Sequence, residues 1–309
     1  MDRAALTDRA SSPPYNNQGE YVADRPRQIR RQARKALGLP ASDEVGAIIV
    51  LLKELRSAVE AHLGHSIDSA VAATPHLVAL YEEDLADASE HIGLQLQYLP
   101  YWHNHMTETG AAYAGYGLGL CGNYTDQPAC NDEMQAMPDE NIMAVLYTKQ
   151  ALTVTLSKMA SALYMWEPRY RYSEHFALGH DALGENPREE YYWECVRQAL
   201  MEIMVENPYY SRPDKVLLMG ESVNDTQFRV VLEDALGSLM ENMPEILAEN
   251  VVYVAAKGAA ELDKRGPYYP WLQNQERKKE VDFSWENAEV EEKDAMADNI
   301  FNKPLQAFP

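Results

Sequence analysis

The residues best placed to do chemistry follow the apolar run from Lys215 to Met219. There Gly220, Glu221 and Ser222 precede an amphipathic segment predicted as a helix over 225–240. In α/β proteins, a turn at the carboxyl end of a strand is where ligands tend to sit. Ser222 offers a hydroxyl to a small ligand or, equally, to its own neighbouring backbone. Other polar clusters specify less. His103 and His105 form an imidazole pair without a third ligand; His62 and His65 flank Gly64, a helix end where imidazolium is favoured. His175, His180 and Asp181 are read as a polar loop opening a helix rather than as an acid/base cluster. Glu82, Glu83, Asp84, Asp87 and Glu90 recur at helical spacing and would suit magnesium and a diphosphate. Leu85, Ala88 and Ile92 mark the opposite, buried side, so the reading adopted is a solvated charged face. Cys195 reads as core, and Tyr191, Tyr192 and Trp193 as packing.

The elements that must position these groups alternate in type. Residues 1–25 read as a loose arm, followed by a basic stretch from Arg25 to Arg34. Val45, Ile49, Leu52, Leu55, Val59 and Leu63 predict a helix over 43–63 that stops at Gly64. Expected next are a strand over 69–75 closed by Pro75, a helix over 78–91 and a strand over 94–99. A small-residue helix over 108–116 and a polar loop over 118–140 follow. Strands are expected at 142–147, 152–159 and 162–166 as an antiparallel meander, and helices at 189–205 and 251–265. Beyond Asn274 the chain is acidic without a sustained apolar face, and is expected to be disordered. The fold class is α/β.

With 309 residues, 46% of them hydrophobic, the chain has enough apolar material for a substantial core. Its net charge of −21, from 48 acidic and 27 basic residues, disfavours nucleic acid and anionic lipid as partners. The longest apolar run is too short to cross a bilayer, and the first ten residues lack a signal core. The spacing of Cys121 and Cys130 permits a bridge, but with Cys195 they are read as ordinary thiols of a reduced, cytoplasmic protein. The sequons at Asn123 and Asn224 are then chance matches.

Four stretches, in order, resemble the ATPase domain of the DnaK-type heat-shock chaperones. Ala61 to Pro75 is similar to a helix–strand unit ending in a proline. Glu108 to Leu118 resembles a connecting helix of pattern Glu-Pro-Thr-Ala-Ala-Ala-x-Ala-Tyr-Gly-Leu. The turn at Gly220 resembles a Gly-Gly-Ser-x-Arg-x-Pro loop, and Val252 to Ala260, with Gly258, is similar to the last helix of that family. The truncated pattern resembles a fungal subgroup. The resemblance implies an incomplete actin-like, ribonuclease-H-like fold of mixed sheets and packed helices. It divides the chain into an arm (1–42), the remnant of a first lobe (43–140), a second lobe (141–273) and an acidic tail (274–309).

That family's phosphate loops are missing or altered. Asp-x-Gly-Thr-Thr has no counterpart before residue 43. Asp-x-Gly-Gly-Gly-Thr falls on Asn141 to Gln150, where Val145 takes the metal-side position and Tyr147, Thr148 and Lys149 replace glycines. A Cβ at those positions obstructs the approach of main-chain amides to phosphate. Glu221 replaces a glycine, Asn224 replaces the adenine-stacking arginine, and most of the adenine-clasping subdomain is absent between Gly179 and Gly220. ATP and magnesium are therefore not expected to bind tightly, and no cofactor is assigned. The expectation is a pseudo-ATPase that binds or scaffolds a protein or small molecule. Its residual cleft would hold Glu108, Lys149, Gly220, Glu221, Ser222 and Gly258. The alternatives are an enzyme working on a small organic molecule in that cleft, and a chaperone-associated regulator docking through its tail.

Overall fold

The computed structural model describes residues 13, 15, 17–75, 80–97, 106–162, 171–185, 188–205 and 212–266. The first part runs α1 (Gln18–Ala36), α2 (Asp43–Leu63), β1 (Ser69–Ala70), β2 (Ala73–Thr74), α3 (Glu82–His91), β3 (Gln95–Leu96), β4 (Met106–Thr107), α4 (Glu108–Gly115) and α5 (Gln127–Ala136). Then come β5 (Glu140–Tyr147), β6 (Leu152–Met159), β7 (Arg171–His175), α6 (Asp181–Glu185), α7 (Glu189–Val205), β8 (Lys215–Met219), α8 (Thr226–Leu239), β9 (Glu245–Leu247) and α9 (Val254–Arg265).

The mixed five-stranded sheet has the order β7-β6-β5-β8-β9. β5 and β6 are antiparallel, as are β6 and β7, whereas β8 lies parallel to both β5 and β9. Met143, Val145 and Tyr147 share one face of β5 by alternation, and pack with Val216 and Leu218 of β8. Against this face come Tyr192, Val196 and Leu200 from α7 and Phe228 and Leu232 from α8. Ile142, Ala144 and Leu217 point the other way and are buried too, which is why β5 and β8 read as unbroken apolar runs. Two small parallel pairs, β1 with β3 and β2 with β4, stand apart from this sheet.

The described residues up to 266 fall in one compact unit, which spans the lobe boundary expected near 140. α4 and α9, from opposite sides of that boundary, press together at Gly258. A Cβ there would lie 1.7 Å from the carbonyl oxygen of Ala111, so the main chains touch and only glycine fits.

Several expectations are corrected. The arm is not loose from residue 18 onward: Asn17 caps α1 by accepting from Glu20 N at 3.0 Å, and the helix runs to Ala36 despite Pro26. The acidic side of α3 is not a solvated face. Its Asp84 and Asp87 bind Arg31 of α1 at 2.5 and 2.6 Å, Glu83 binds Arg27, and Lys35 reaches Asp87 and Glu90 at 2.6 Å each. Arg31 and Asp84 are both 4% exposed; burial lifts the Asp84 carboxyl above its ordinary range while Arg31 pulls it back. Cys121 and Cys130 are disulfide-bonded and Cys195 is only half-buried, so the first two no longer argue for a reducing compartment. Part of the expected 118–140 loop is α5, and the 69–75 segment is split between β1 and β2. The third strand of the meander is β7, not 162–166, of which residues 163–166 lie outside the described set, as do His103, His105 and the tail. Among the described residues, no helix is long and apolar enough to cross a membrane.

Candidate functional site

β5 and β8 end side by side, Leu146 opposite Met219, so the turns that follow both lie at the carboxyl end of the parallel pair. Gly220 opens the second turn at φ 97°, a conformation that L side chains avoid. A Cβ would stand 2.3 Å from the Tyr147 carbonyl oxygen, so any other residue would force the two strand ends apart. That close approach lets Ser222 N donate to Tyr147 O at 3.1 Å and Gly220 N to Val251 O at 3.0 Å. Asp225 then caps α8, accepting from Phe228 N at 2.8 Å.

The β5–β6 turn is closed by its own residues. Thr148 Oγ1 accepts from Gln150 N at 3.3 Å and Ala151 N at 3.1 Å, and Thr148 N donates to Ala151 O at 2.9 Å. From one side His180 N and Asp181 N donate to the carbonyls of Thr148 and Lys149, at 3.0 and 2.9 Å. From the other, a Glu221 carboxylate oxygen accepts from Lys149 N at 3.0 Å. The amide best placed to meet an external anion already holds an internal one.

The structure brings Lys149, Gly220, Glu221 and Ser222 together, while Glu108 and Gly258 belong to the helices α4 and α9. Glu108 lies in the first turn of α4, whose other end carries Tyr116, the residue that donates to Leu218 O at 2.8 Å. The cap of α4 is Thr107, whose hydroxyl accepts from Gly110 N at 3.3 Å. Burial pushes the Glu108 carboxyl up to about 7, although part of the residue touches solvent. Among the described residues it makes no hydrogen bond, and the neighbouring Thr109 hydroxyl is buried without a partner. Gly258 serves helix packing, not a cleft. Val145 is fully buried in the core, so nothing at its position faces a metal.

Three further groups stand at this end of the sheet that the sequence reading did not assign to the site; His180 was read as a loop residue opening a helix, and it does precede α6. His180 Nε2 stands 3.6 Å from Asp225 Oδ2, joining the 179–181 segment to the start of α8. Tyr147 is stacked on Phe228 at 4.4 Å, and its hydroxyl meets that of Tyr192 at 3.0 Å. Arg229 donates to Val223 O at 2.7 Å and to Asn224 Oδ1 at 3.3 Å, placing a guanidinium beside the turn. Arg229 lies in the first turn of α8, one position from the buried Phe228, and residue type alone did not show that it would reach back to the turn. An open groove of about 910 Å³ lies elsewhere, between the first turns of α7 and α8, lined by Tyr191, Trp193, Arg197, Gln227 and Val231. Among the described residues, no group of three or more His, Cys, Asp or Glu side chains is gathered in a way that could hold a metal ion. The chain matches no family model and no curated protein.

Proposed function

We propose that this chain is a binding or scaffolding protein on a degenerate actin-like, ribonuclease-H-like frame, without the ATP hydrolysis of the chaperones it resembles. The sheet supports the fold half of this reading. In chain order its strands lie third, second, first, fourth, fifth, and the second alone runs against the rest.

One observation carries the functional half: the Glu221 carboxylate sits on the Lys149 amide. A phosphate oxygen would have to displace it or lie beside it. Two unit charges 4 Å apart repel by about 4 kcal/mol at an effective dielectric constant of 20. Each charge-assisted hydrogen bond withheld from phosphate removes a further 1.5–3 kcal/mol or so, against roughly 8 kcal/mol for micromolar affinity. Little attraction is left. Isothermal titration with magnesium ATP and ADP is expected to give no saturable heat. A magnesium-dependent Kd near or below about 10 μM would overturn the reading.

The alternative, a small-molecule enzyme, needs Glu108, Lys149, Glu221 and Ser222 around one pocket. α4 carries Glu108 about 12 Å along its axis from Tyr116, the residue that reaches β8, and this separation favours binding over catalysis.

A further inference from the structure

α1 is mounted inside out. Asp24, Arg27, Gln28, Arg31 and Lys35 form the side that meets α3, so the helix docks through its polar face. Val22, Pro26, Ile29 and Ala33, at spacings of four, three and four, lie on the opposite side. All four are exposed, Val22 at 60% and Ile29 at 58%. The small apolar cluster that fixes α2 to α3 (Ala41, Val45, Ile49 and Ala88) contains no α1 residue. A helix this amphipathic, held by charge on one side, presents its apolar stripe for something else to cover.

The residues flanking the stripe say what. Arg25 borders it on one edge and Arg30 on the other; both are exposed, and among the described residues neither is paired with a carboxylate. A second copy would set arginine against arginine with no outward carboxylate to relieve it, which disfavours self-pairing. An anionic lipid surface would meet the field of a chain carrying −21 charges overall. A helix with apolar residues at the same spacing and Glu or Asp along its flanks satisfies both the stripe and the two guanidinium groups. We propose that the outward face of α1 is the docking surface for an acidic amphipathic helix of a partner protein. This deepens the binding reading above by naming a surface and a partner chemistry. It rests on α1 alone, so nucleotide binding at the sheet would leave it standing.

The test uses the full chain and two labelled helical peptides with the same leucine pattern, one flanked by Glu and one by Lys. The Glu peptide is expected to bind at least about tenfold more tightly than the Lys peptide, with affinity falling as salt rises. Val22→Ser with Ile29→Ser, or Arg25→Glu with Arg30→Glu, is expected to weaken it by about tenfold or more, with circular dichroism unchanged because all four positions are exposed. Several outcomes overturn the proposal: equal binding of the two peptides, binding indifferent to both double variants, or no binding of the Glu peptide. So do concentration-dependent dimerisation abolished by Val22→Ser with Ile29→Ser, and preferential binding to phosphatidylserine vesicles.

Discussion

In and against the central sheet the enclosed groups are apolar or aromatic, among them Tyr147, Leu218 and, from α8, Phe228, and the ends of β5 and β8 touch main chain to main chain at Gly220. In α1 the enclosed groups are Asp24 and Arg31, both charged, and the apolar residues face out. Each buried apolar side chain of the sheet contributes about 1.5–3 kcal/mol without needing a particular partner. An ion pair contributes little net once desolvation is counted, yet removing one member leaves the other stranded at high cost. The sheet thus tolerates a change of solution conditions and resists a change of shape, whereas the α1 layer does the reverse.

The sharpest way to break the first half of this comparison is Gly258→Val. It inserts side-chain atoms where a Cβ alone would lie 1.7 Å from Ala111 O, and is expected to part α4 from α9 at a cost of about 4 kcal/mol or more. Denaturant unfolding or, if the chain no longer folds, soluble yield reads this; a loss under about 1 kcal/mol would refute the close approach. Next is Arg31→Ala, which strands the buried Asp84 and leaves Asp87 to Lys35 alone, and is expected to cost about 3 kcal/mol, confined to the α1–α3 layer. Hydrogen exchange should show α1 amides losing protection while β5 and β8 keep theirs; a uniform loss would contradict the division. Raised salt should weaken only the exposed Lys35–Glu90 end of this layer, because the buried Arg31–Asp84 pair is little screened.

The smallest effect tests a carboxylate without a partner. Glu108 titrates near 7 when folded against an ordinary 4.5, so the native state holds a proton that the unfolded chain has released. Its contribution is complete below pH 4.5 and is lost as pH rises through about 7. The α4 N-terminus, which favours the carboxylate, trims the effect, leaving about 2–3 kcal/mol. Glu108→Gln is therefore expected to match the parent near pH 4 and exceed its stability by that amount at pH 8. Identical pH profiles for parent and variant would show that burial does not set this titration.

What could be read from the amino acids followed local signals. β8 and the turn after it were legible because an apolar run meets a glycine, and α7 because its buried residues recur every three or four positions. α2 was legible through its Gly64 cap. The arm was misread because the apolar residues of α1 face outward and its polar face finds its match more than fifty positions later in the sequence. Taken one at a time, a basic helix and an acidic helix each look solvated; only their pairing shows otherwise. β7 was missed because Arg171 to His175 has no aliphatic residue and Tyr172 is its one large apolar group, as an outer strand allows. At the site, Gly220, Glu221 and Ser222 were legible from the turn after β8, whereas Lys149 was placed beside them only by the resemblance. The bond from Glu221 to a backbone amide across 72 positions left no trace in residue type.

The margins of the sheet bear on how this molecule can meet others. One outer strand, β9, has three residues, and the other, β7, is short and polar. Neither offers a long apolar ribbon onto which a foreign strand could be stitched, the step from which fibrils grow. Uncovered aliphatic side chains on α1 and α2 can therefore stay on view with less danger of runaway polymerisation.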